Sequence, residues 1–145
     1  AKLIKPRLIG NIGQNVTGND ENGKQISIYD ITAPFTVIYL FSYDCENCKK
    51  ESPKLVKFYN EWKNKGVDIF SICIDGEQDE WKKYLTKNGM TFHNIFDPKN
   101  ATGFGARYHV EHTPQIYVLN KNHKIIASNI LSEQIPKIIE EELKK

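Results

Sequence analysis

Two cysteines separated by two residues, Cys45 and Cys48, are the side chains whose type and spacing point most directly to chemistry. A C-x-x-C pair can close a disulfide within one helical turn, or it can supply two ligands to a metal ion. Only a thiolate is a competent nucleophile, so the chemistry of the pair depends on the structure that surrounds it.

The residues around the pair predict a junction between a buried strand and a helix. The continuous apolar run 36–41 is typical of a strand covered on both faces, and from Glu46 onward the apolar residues recur with a helical period. Cys45 would therefore lie at a helix N-terminus, where unpaired N–H groups favour a thiolate. In that position Cys45 would attack a disulfide, and Cys48, one turn deeper on the same face, would resolve the mixed disulfide.

Two other functions could use the same cysteines. One is a copper or zinc chaperone that binds the metal through Cys45, Cys48 and a nearby histidine. The sequence has no second C-x-x-C, and the histidines lack the H-x₃₋₅-H spacing of a zinc finger; they are His93, His109, His112 and His123. The other function is a peroxidase, which expects a T-x-x-C motif, whereas this chain has Ser42 at that position. Disulfide exchange needs no cofactor, and the metal chaperone is kept as the alternative.

Composition and charge limit the function further. The chain has 145 residues, of which 39% are hydrophobic and 26% are charged, which suits one domain with one buried core. The formal net charge of +2, without a concentrated Lys/Arg run, gives no case for binding nucleic acid. The longest apolar run, 36–41, is too short to span a bilayer. Because the chain begins with Ala1 and shows no signal-peptide core, we expect a processed or trimmed product.

The rest of the sequence predicts alternating strands and helices after an extended segment over 1–17 and a hairpin over 18–28. The predicted elements follow the order β-α-β-α-β-α-β-β-α and cover 36–41, 46–65, 67–74, a helix around 81–88, 91–96, 101–108, 115–119, 124–130 and a final helix. Ser132 is predicted to cap that final helix, with Pro136 in its first turn. Such an order gives a mixed sheet flanked by helices, and Cys73 is expected to be a buried structural thiol in it.

Three segments of the chain resemble one branch of a known superfamily. The run 41–53 around the cysteine pair, the strand segment 67–75 and the segment 113–119, which begins Thr-Pro, are similar to TlpA/ResA-like thiol–disulfide oxidoreductases of the thioredoxin superfamily. The resemblance covers nearly the whole chain, about 18–143. It implies an α/β thioredoxin fold in which 77–96 is an inserted helix and strand.

The resemblance also implies partners and a location. The partners would be protein thiols and disulfides, together with an upstream reductant or oxidant. The protein would act outside the cytoplasm, in the bacterial periplasm or on the outer face of the cell envelope, and we expect a monomer. This segment would not span a membrane, and a longer, membrane-tethered parent chain is compatible with the resemblance.

Further site residues follow from the resemblance. It implies a cis peptide bond between Thr113 and Pro114 that faces the cysteines and lets Thr113 pair with an extended substrate strand. Glu51, three residues after Cys48, is implied as a proton relay for the Cys48 thiol, and a solvent-facing helix carboxylate is the alternative. Tyr43 is expected to belong to a substrate platform or, equally, to be an exposed loop aromatic.

The chain departs from the family beside its first cysteine. Asp44 stands where the family has a tryptophan, and Glu46 follows the cysteine directly. Two neighbouring carboxylates would raise the pKa of Cys45, and Lys49 with Lys50 would offset this only in part. A less stabilised thiolate makes the disulfide relatively stable, so we expect a protein that reduces its substrates.

Overall fold

The computed structural model describes residues 8–145 of the chain. Its strands are β1 (Thr17–Asn19), β2 (Gln25–Ser27), β3 (Phe35–Phe41), β4 (Val67–Cys73), β5 (His93–Phe96), β6 (Gln115–Leu119) and β7 (Ile125–Ser128). Its α-helices are α1 (Glu46–Trp62), α2 (Gln78–Asn88), α3 (Phe104–Tyr108) and α4 (Ile135–Leu143), and 3-10 turns lie at Ile28–Asp30, Lys63–Lys65 and Ser132–Gln134. These elements form a mixed sheet flanked by helices and preceded by a small hairpin, which confirms the predicted architecture.

Five of the described strands form the main sheet in the order β5-β4-β3-β6-β7. The central strand β3 is parallel to β4 and antiparallel to β6. Every residue of β3 is buried, as its apolar run predicts. Since Phe41 pairs with Cys73 and Leu40 with Gln115, the loops after β3 and β4 and the loop before β6 meet at one edge of the sheet.

Apolar side chains cover both faces of this sheet. On one face, Tyr39 and Phe41 of β3 belong to a cluster shared with α1, α2 and α4. On the other face, Ile38 and Leu40 belong to a second cluster, shared with α3 and the hairpin region. Successive side chains of a strand point to opposite faces, so β3 contributes to both layers of the core. Cys73 is buried in the first layer, as expected.

Some element boundaries differ from the prediction, because side chains from elsewhere bind the backbone there. Ser132 does not cap the final helix: it begins a 3-10 turn, and α4 starts only at Ile135. Helix α3 starts later than predicted, at Phe104, because the Asp97 carboxylate accepts the backbone N–H groups of 101–102 in a turn. The remaining boundaries shift by only a few residues at each end.

The segment before the hairpin is bound to the strand end at β7. The Gly10 N–H donates to the Ile125 carbonyl at 2.8 Å, and the Gly13 N–H donates to the His123 carbonyl at 2.6 Å. The described part of the predicted extended segment is therefore joined to the fold by backbone hydrogen bonds. The prediction for 1–7 lies outside the described residues.

Two predictions concern the chain as a whole. Within residues 8–145, no helix is both long enough and apolar enough to cross a membrane. The strands β1 and β2 occupy the predicted hairpin, and α2 with β5 lies within the predicted insertion 77–96. The division into one domain with such an insertion stays a prediction.

Candidate active site

Cys45 lies between β3 and α1, at the point where the helix begins. It is the N-cap residue of α1, and its backbone is extended, with φ −80° and ψ 125°. The Cys48 N–H donates a hydrogen bond to Cys45 Sγ at 3.1 Å. Cys45 is partly exposed, whereas Cys48 is fully buried, so a partner can reach only Cys45 directly.

A carbonyl group from the loop before β6 lies beside Cys45. The Cys45 thiol donates a hydrogen bond to the Thr113 carbonyl oxygen at 3.4 Å, across 68 positions of sequence. The peptide bond between Thr113 and Pro114 is cis. Because Pro114 directly precedes β6, the pairing of β3 with β6 brings this loop to the cysteines. The structure thus brings Cys45, Cys48, Thr113 and Pro114 together.

The pKa values of the two thiols shift in opposite directions. Partial burial acts to raise the pKa of Cys45. Hydrogen bonds from the Cys48 thiol, from the Thr113 side chain and from the backbone N–H groups of Cys48 and Asn47 outweigh it, so this pKa is lowered. Burial, above all, raises the pKa of Cys48 to about 12. At neutral pH Cys45 is therefore the better nucleophile, and Cys48 remains a thiol.

The predicted net shift of the Cys45 pKa is wrong in direction. Asp44 and Glu46 are expected to raise the pKa of Cys45, yet that pKa is lowered. The Glu46 side chain is 81% exposed and pairs with Lys49 at 3.2 Å, so water and the ammonium group screen its charge. The expectation that the protein reduces its substrates is based on a raised pKa of Cys45. It is not supported by that argument and stays a prediction.

Alkylation of Cys45 by iodoacetamide is expected to increase with pH through an apparent pKa below that of an unperturbed thiol. The thiolate is the reacting form, so the rate follows the deprotonated fraction of Cys45. Cys48, with its raised pKa, is expected to stay unlabelled in the folded protein. Mass spectrometry after timed labelling between about pH 5 and pH 9 measures both thiols, with a free-cysteine peptide as the reference. An inflection above that of the peptide would show that the lowered pKa is wrong.

Glu51 is buried in α1, with 4% of its surface exposed. Its carboxylate accepts a hydrogen bond from the Ser132 N–H at 2.5 Å, so it binds the turn that leads into α4. The alternative of a solvent-facing carboxylate is therefore wrong. Glu51 also lines a cavity of about 410 Å³ together with Thr113 and Pro114. Its role as a proton relay stays a prediction, which this position favours.

Tyr43 joins the loop before Cys45 to α2. Its hydroxyl accepts a hydrogen bond from the Glu77 N–H at 2.7 Å, at the start of that helix. Gly76 has a φ of +96° and lies so close to the Tyr43 ring that a Cβ there would collide with it. Tyr43 is thus partly buried and bonded rather than an exposed loop aromatic, and its contact with substrate stays a prediction.

Three hydroxyl groups near Cys48 do not follow from the sequence pattern. The Tyr84 hydroxyl, which has one hydrogen to donate, lies 2.8 Å from Ser52 Oγ and 3.2 Å from the Cys48 carbonyl oxygen. The Tyr39 hydroxyl bonds the same Ser52 Oγ at 2.8 Å. A serine on the buried side of α1, one turn after Cys48, is a signal for such a network. Its partners come from a strand and another helix, which residue spacing does not reveal.

The histidines do not join the cysteines in a metal site. Within residues 8–145, no three His, Cys, Asp or Glu side chains are grouped so that they could hold one metal ion. His93 pairs with Asp68 at 2.8 Å near the starts of β5 and β4, away from Cys45. His112 lines the cavity described above. This donor arrangement gives no support to the metal-chaperone alternative.

The fold and its cysteine pair define the class of protein, a thioredoxin-fold thiol–disulfide oxidoreductase. Residues 9–128 match the AhpC/TSA family, and the chain belongs to that family. It is 28% identical to the thiol-disulfide oxidoreductase ResA of Bacillus thuringiensis (strain Al Hakam), over 94% of this chain and 78% of that protein. With ResA of Bacillus subtilis (strain 168) it shares 24% identity, over 81% of this chain and 64% of that protein.

Solved structures show the same fold. A domain of a possible thiol-disulfide isomerase from Cytophaga hutchinsonii matches with a TM-score of 0.86 at 30% identity, and the match covers 94% of each chain. The thioredoxin domain of a thiol-disulfide oxidoreductase from Bacteroides vulgatus has a TM-score of 0.84 at 23% identity, over 92% of this chain and 96% of that one. None of these similarities supports a metal chaperone.

Proposed function

We propose that this chain catalyses disulfide exchange with protein substrates, with Cys45 as the attacking group and Cys48 as the resolving group. The proposal rests on the difference between the two thiols. Cys45 is partly exposed at a helix N-terminus and has a lowered pKa, whereas Cys48 is buried and has a raised pKa. Two chemically identical groups in such different surroundings are suited to different steps of one exchange reaction.

The reaction then proceeds in two steps. The Cys45 thiolate attacks one sulfur of the substrate disulfide, the other substrate sulfur leaves with the electron pair, and that sulfur takes up a proton. Cys48 next loses its proton and attacks the Cys45 sulfur, so that the Cys45–Cys48 bond forms and the substrate sulfur leaves as a thiolate. The substrate gains the two electrons that the protein loses in becoming the disulfide. The proton that Cys45 released to form its thiolate and the proton that Cys48 loses are balanced by the two protons that the released substrate sulfurs take up, the second when the leaving thiolate is protonated.

Thr113 and Pro114 are proposed to bind an extended segment of the substrate, with Tyr43 as a further contact. The Thr113 carbonyl oxygen lies 3.4 Å from Cys45 Sγ, so a substrate backbone at this edge is within reach of the attacking sulfur. The cavity of about 410 Å³ extends from this loop along α1, and it offers space for a side chain beside the substrate cysteine.

Glu51 is proposed to accept the proton that Cys48 loses in the second step. It follows Cys48 by one turn on the buried side of α1, and its carboxylate borders the same cavity as the Thr113 loop. A positioned carboxylate in a buried site can act as a general base for a thiol whose pKa is raised.

We also propose that the protein acts in the reducing direction, as a monomer, outside the cytoplasm. The similarity to ResA proteins supports the location, and an upstream reductant would restore the dithiol after each cycle. Equilibration with glutathione buffers measures the potential. A value near that of the strong oxidant DsbA, about −120 mV, would contradict the reducing direction.

Replacing Cys48 by alanine is expected to trap partner proteins on Cys45. Without the resolving thiol, the mixed disulfide has no intramolecular route to release, so it accumulates. Non-reducing gels of cell-envelope extracts, followed by mass spectrometry, identify the trapped proteins. The double variant Cys45→Ala/Cys48→Ala is the control and should trap none. If Cys48→Ala captures no partner and the wild-type protein reduces no insulin, the proposed enzymatic function is wrong.

A further inference from the structure

Helix α2 contacts α1 at the residue that carries the resolving thiol. The Tyr84 hydroxyl of α2 lies within hydrogen-bond distance of the Cys48 carbonyl oxygen, at 3.2 Å, and of Ser52 Oγ, at 2.8 Å, and its single hydrogen serves one of these acceptors at a time. Ser52 Oγ is also bonded at 2.8 Å to the hydroxyl of Tyr39, in the central strand. The Tyr39 hydroxyl also reaches the Cys48 carbonyl oxygen, at 3.5 Å, so Tyr84 makes the shorter of the two tyrosine contacts with this carbonyl.

Tyr84 is held in place by contacts on its other sides. Its ring stacks on that of Phe41, with the ring centroids 5.5 Å apart, and Phe41 is fully buried. The start of α2 is bound separately, through the hydrogen bond from the Glu77 N–H to Tyr43. With both the ring and the helix fixed, the Tyr84 hydroxyl can restrain the position of the Cys48 carbonyl.

The first turns of α1 need such support. Pro53 lies inside α1 and has no N–H, so the helix lacks the hydrogen bond that residue 53 would donate to the Lys49 carbonyl. The carbonyl left without this bond belongs to Lys49, the residue directly after Cys48. Burial raises the pKa of Tyr84 above its ordinary value, so the hydroxyl is protonated and able to donate at neutral pH.

We propose that Tyr84 is a positioning residue for Cys48 in the resolving step, an inference that rests on the proposed function. In that step the deprotonated Cys48 sulfur bonds to the Cys45 sulfur while the bond from Cys45 to the partner sulfur breaks, and the partner leaves with the electron pair. Tyr84 makes and breaks no covalent bond. By restraining the Cys48 carbonyl it keeps Cys48 Sγ aimed at Cys45, so it affects the second step and not the first.

Rapid-quench reaction of the reduced Tyr84→Phe variant with oxidised glutathione tests this role. Phenylalanine keeps the ring stack and removes only the hydroxyl. Acid quenching, alkylation and mass spectrometry separate the dithiol, the glutathione adduct of Cys45 and the internal disulfide. We expect the first step to stay within about twofold of wild type and the second to slow about fivefold, as for the loss of one hydrogen bond. The glutathione adduct should therefore accumulate.

Tyr59→Phe is the matched control, because it removes a hydroxyl from α1 that makes no hydrogen bond within the described residues. Both of its steps should match wild type. If Tyr84→Phe slows neither step, or slows both equally, Tyr84 has no specific positioning role. If the wild-type protein itself forms no internal disulfide in this assay, the proposed function fails instead.

Discussion

Replacing Cys45 by serine is expected to slow reaction with a disulfide substrate by at least about a thousandfold. A serine hydroxyl can still bond the Thr113 carbonyl, so the shape of the site is kept. The hydroxyl remains protonated at neutral pH, however, and it cannot form the mixed disulfide on which the second step depends. Thiol release from insulin or from oxidised glutathione measures the loss.

The matched control for this substitution is Cys73→Ala, since Cys73 is the remaining cysteine of the chain. Cys73 is buried, burial raises its pKa to about 12, and its thiol donates to the Asp75 carbonyl at 3.3 Å. Its removal is expected to leave the activity within about twofold of wild type, because a buried protonated thiol is a poor nucleophile. If activity survives in Cys45→Ser but disappears in Cys73→Ala, Cys45 is not the attacking cysteine.

The second large effect is expected at Glu51, where replacement by alanine should lower the free energy of unfolding by about 1–3 kcal/mol. The substitution leaves the Ser132 N–H without its acceptor in a buried place, and it loosens the turn that leads into α4. Urea denaturation of the reduced protein at neutral pH measures this change. A free energy of unfolding equal to that of wild type would show that the Glu51–Ser132 bond contributes nothing to stability.

Glu51→Gln separates the structural role of this residue from a role in proton transfer. The amide oxygen can still accept from the Ser132 N–H, so the stability should stay near that of wild type. The amide cannot take up a proton, so formation of the internal disulfide should slow by at least about tenfold. Glu133→Gln is the control, because Glu133 is exposed and only pairs loosely with Lys54, at 3.8 Å. A normal second step in Glu51→Gln would leave Glu51 a structural residue only.

The position of the cysteine pair can be predicted from the sequence because it depends on local patterns. The apolar run 36–41 predicts a buried strand, the period after Glu46 predicts a helix, and the structure places Cys45 between the two. The burial of Cys48 follows from the same helical spacing. Such features need only neighbours in sequence, so hydrophobic period and helix-capping rules are sufficient.

The pKa of Cys45 could not be predicted in the same way. Asp44 and Glu46 are visible in the sequence, but their effect depends on exposure and on the ion pair that Glu46 makes with Lys49. The pKa of Cys45 is lowered mainly by the Cys48 side chain, then by the Thr113 side chain and by backbone N–H groups, and only the folded structure directs these groups at the sulfur. The residue types next to a cysteine in the sequence are therefore a poor guide to the pKa of its thiol.

By itself, the sequence determined which reactive groups the chain carries and that a strand and a helix flank them. Only the tertiary structure decided which groups meet there: the Thr113 carbonyl at Cys45, the Ser132 N–H at Glu51 and the Tyr84 hydroxyl at the Cys48 carbonyl. Each of these contacts joins residues far apart in the chain. They form because β3 pairs with β6 and because α2 and α4 pack on the same face of the sheet as α1, and no local pattern encodes that packing.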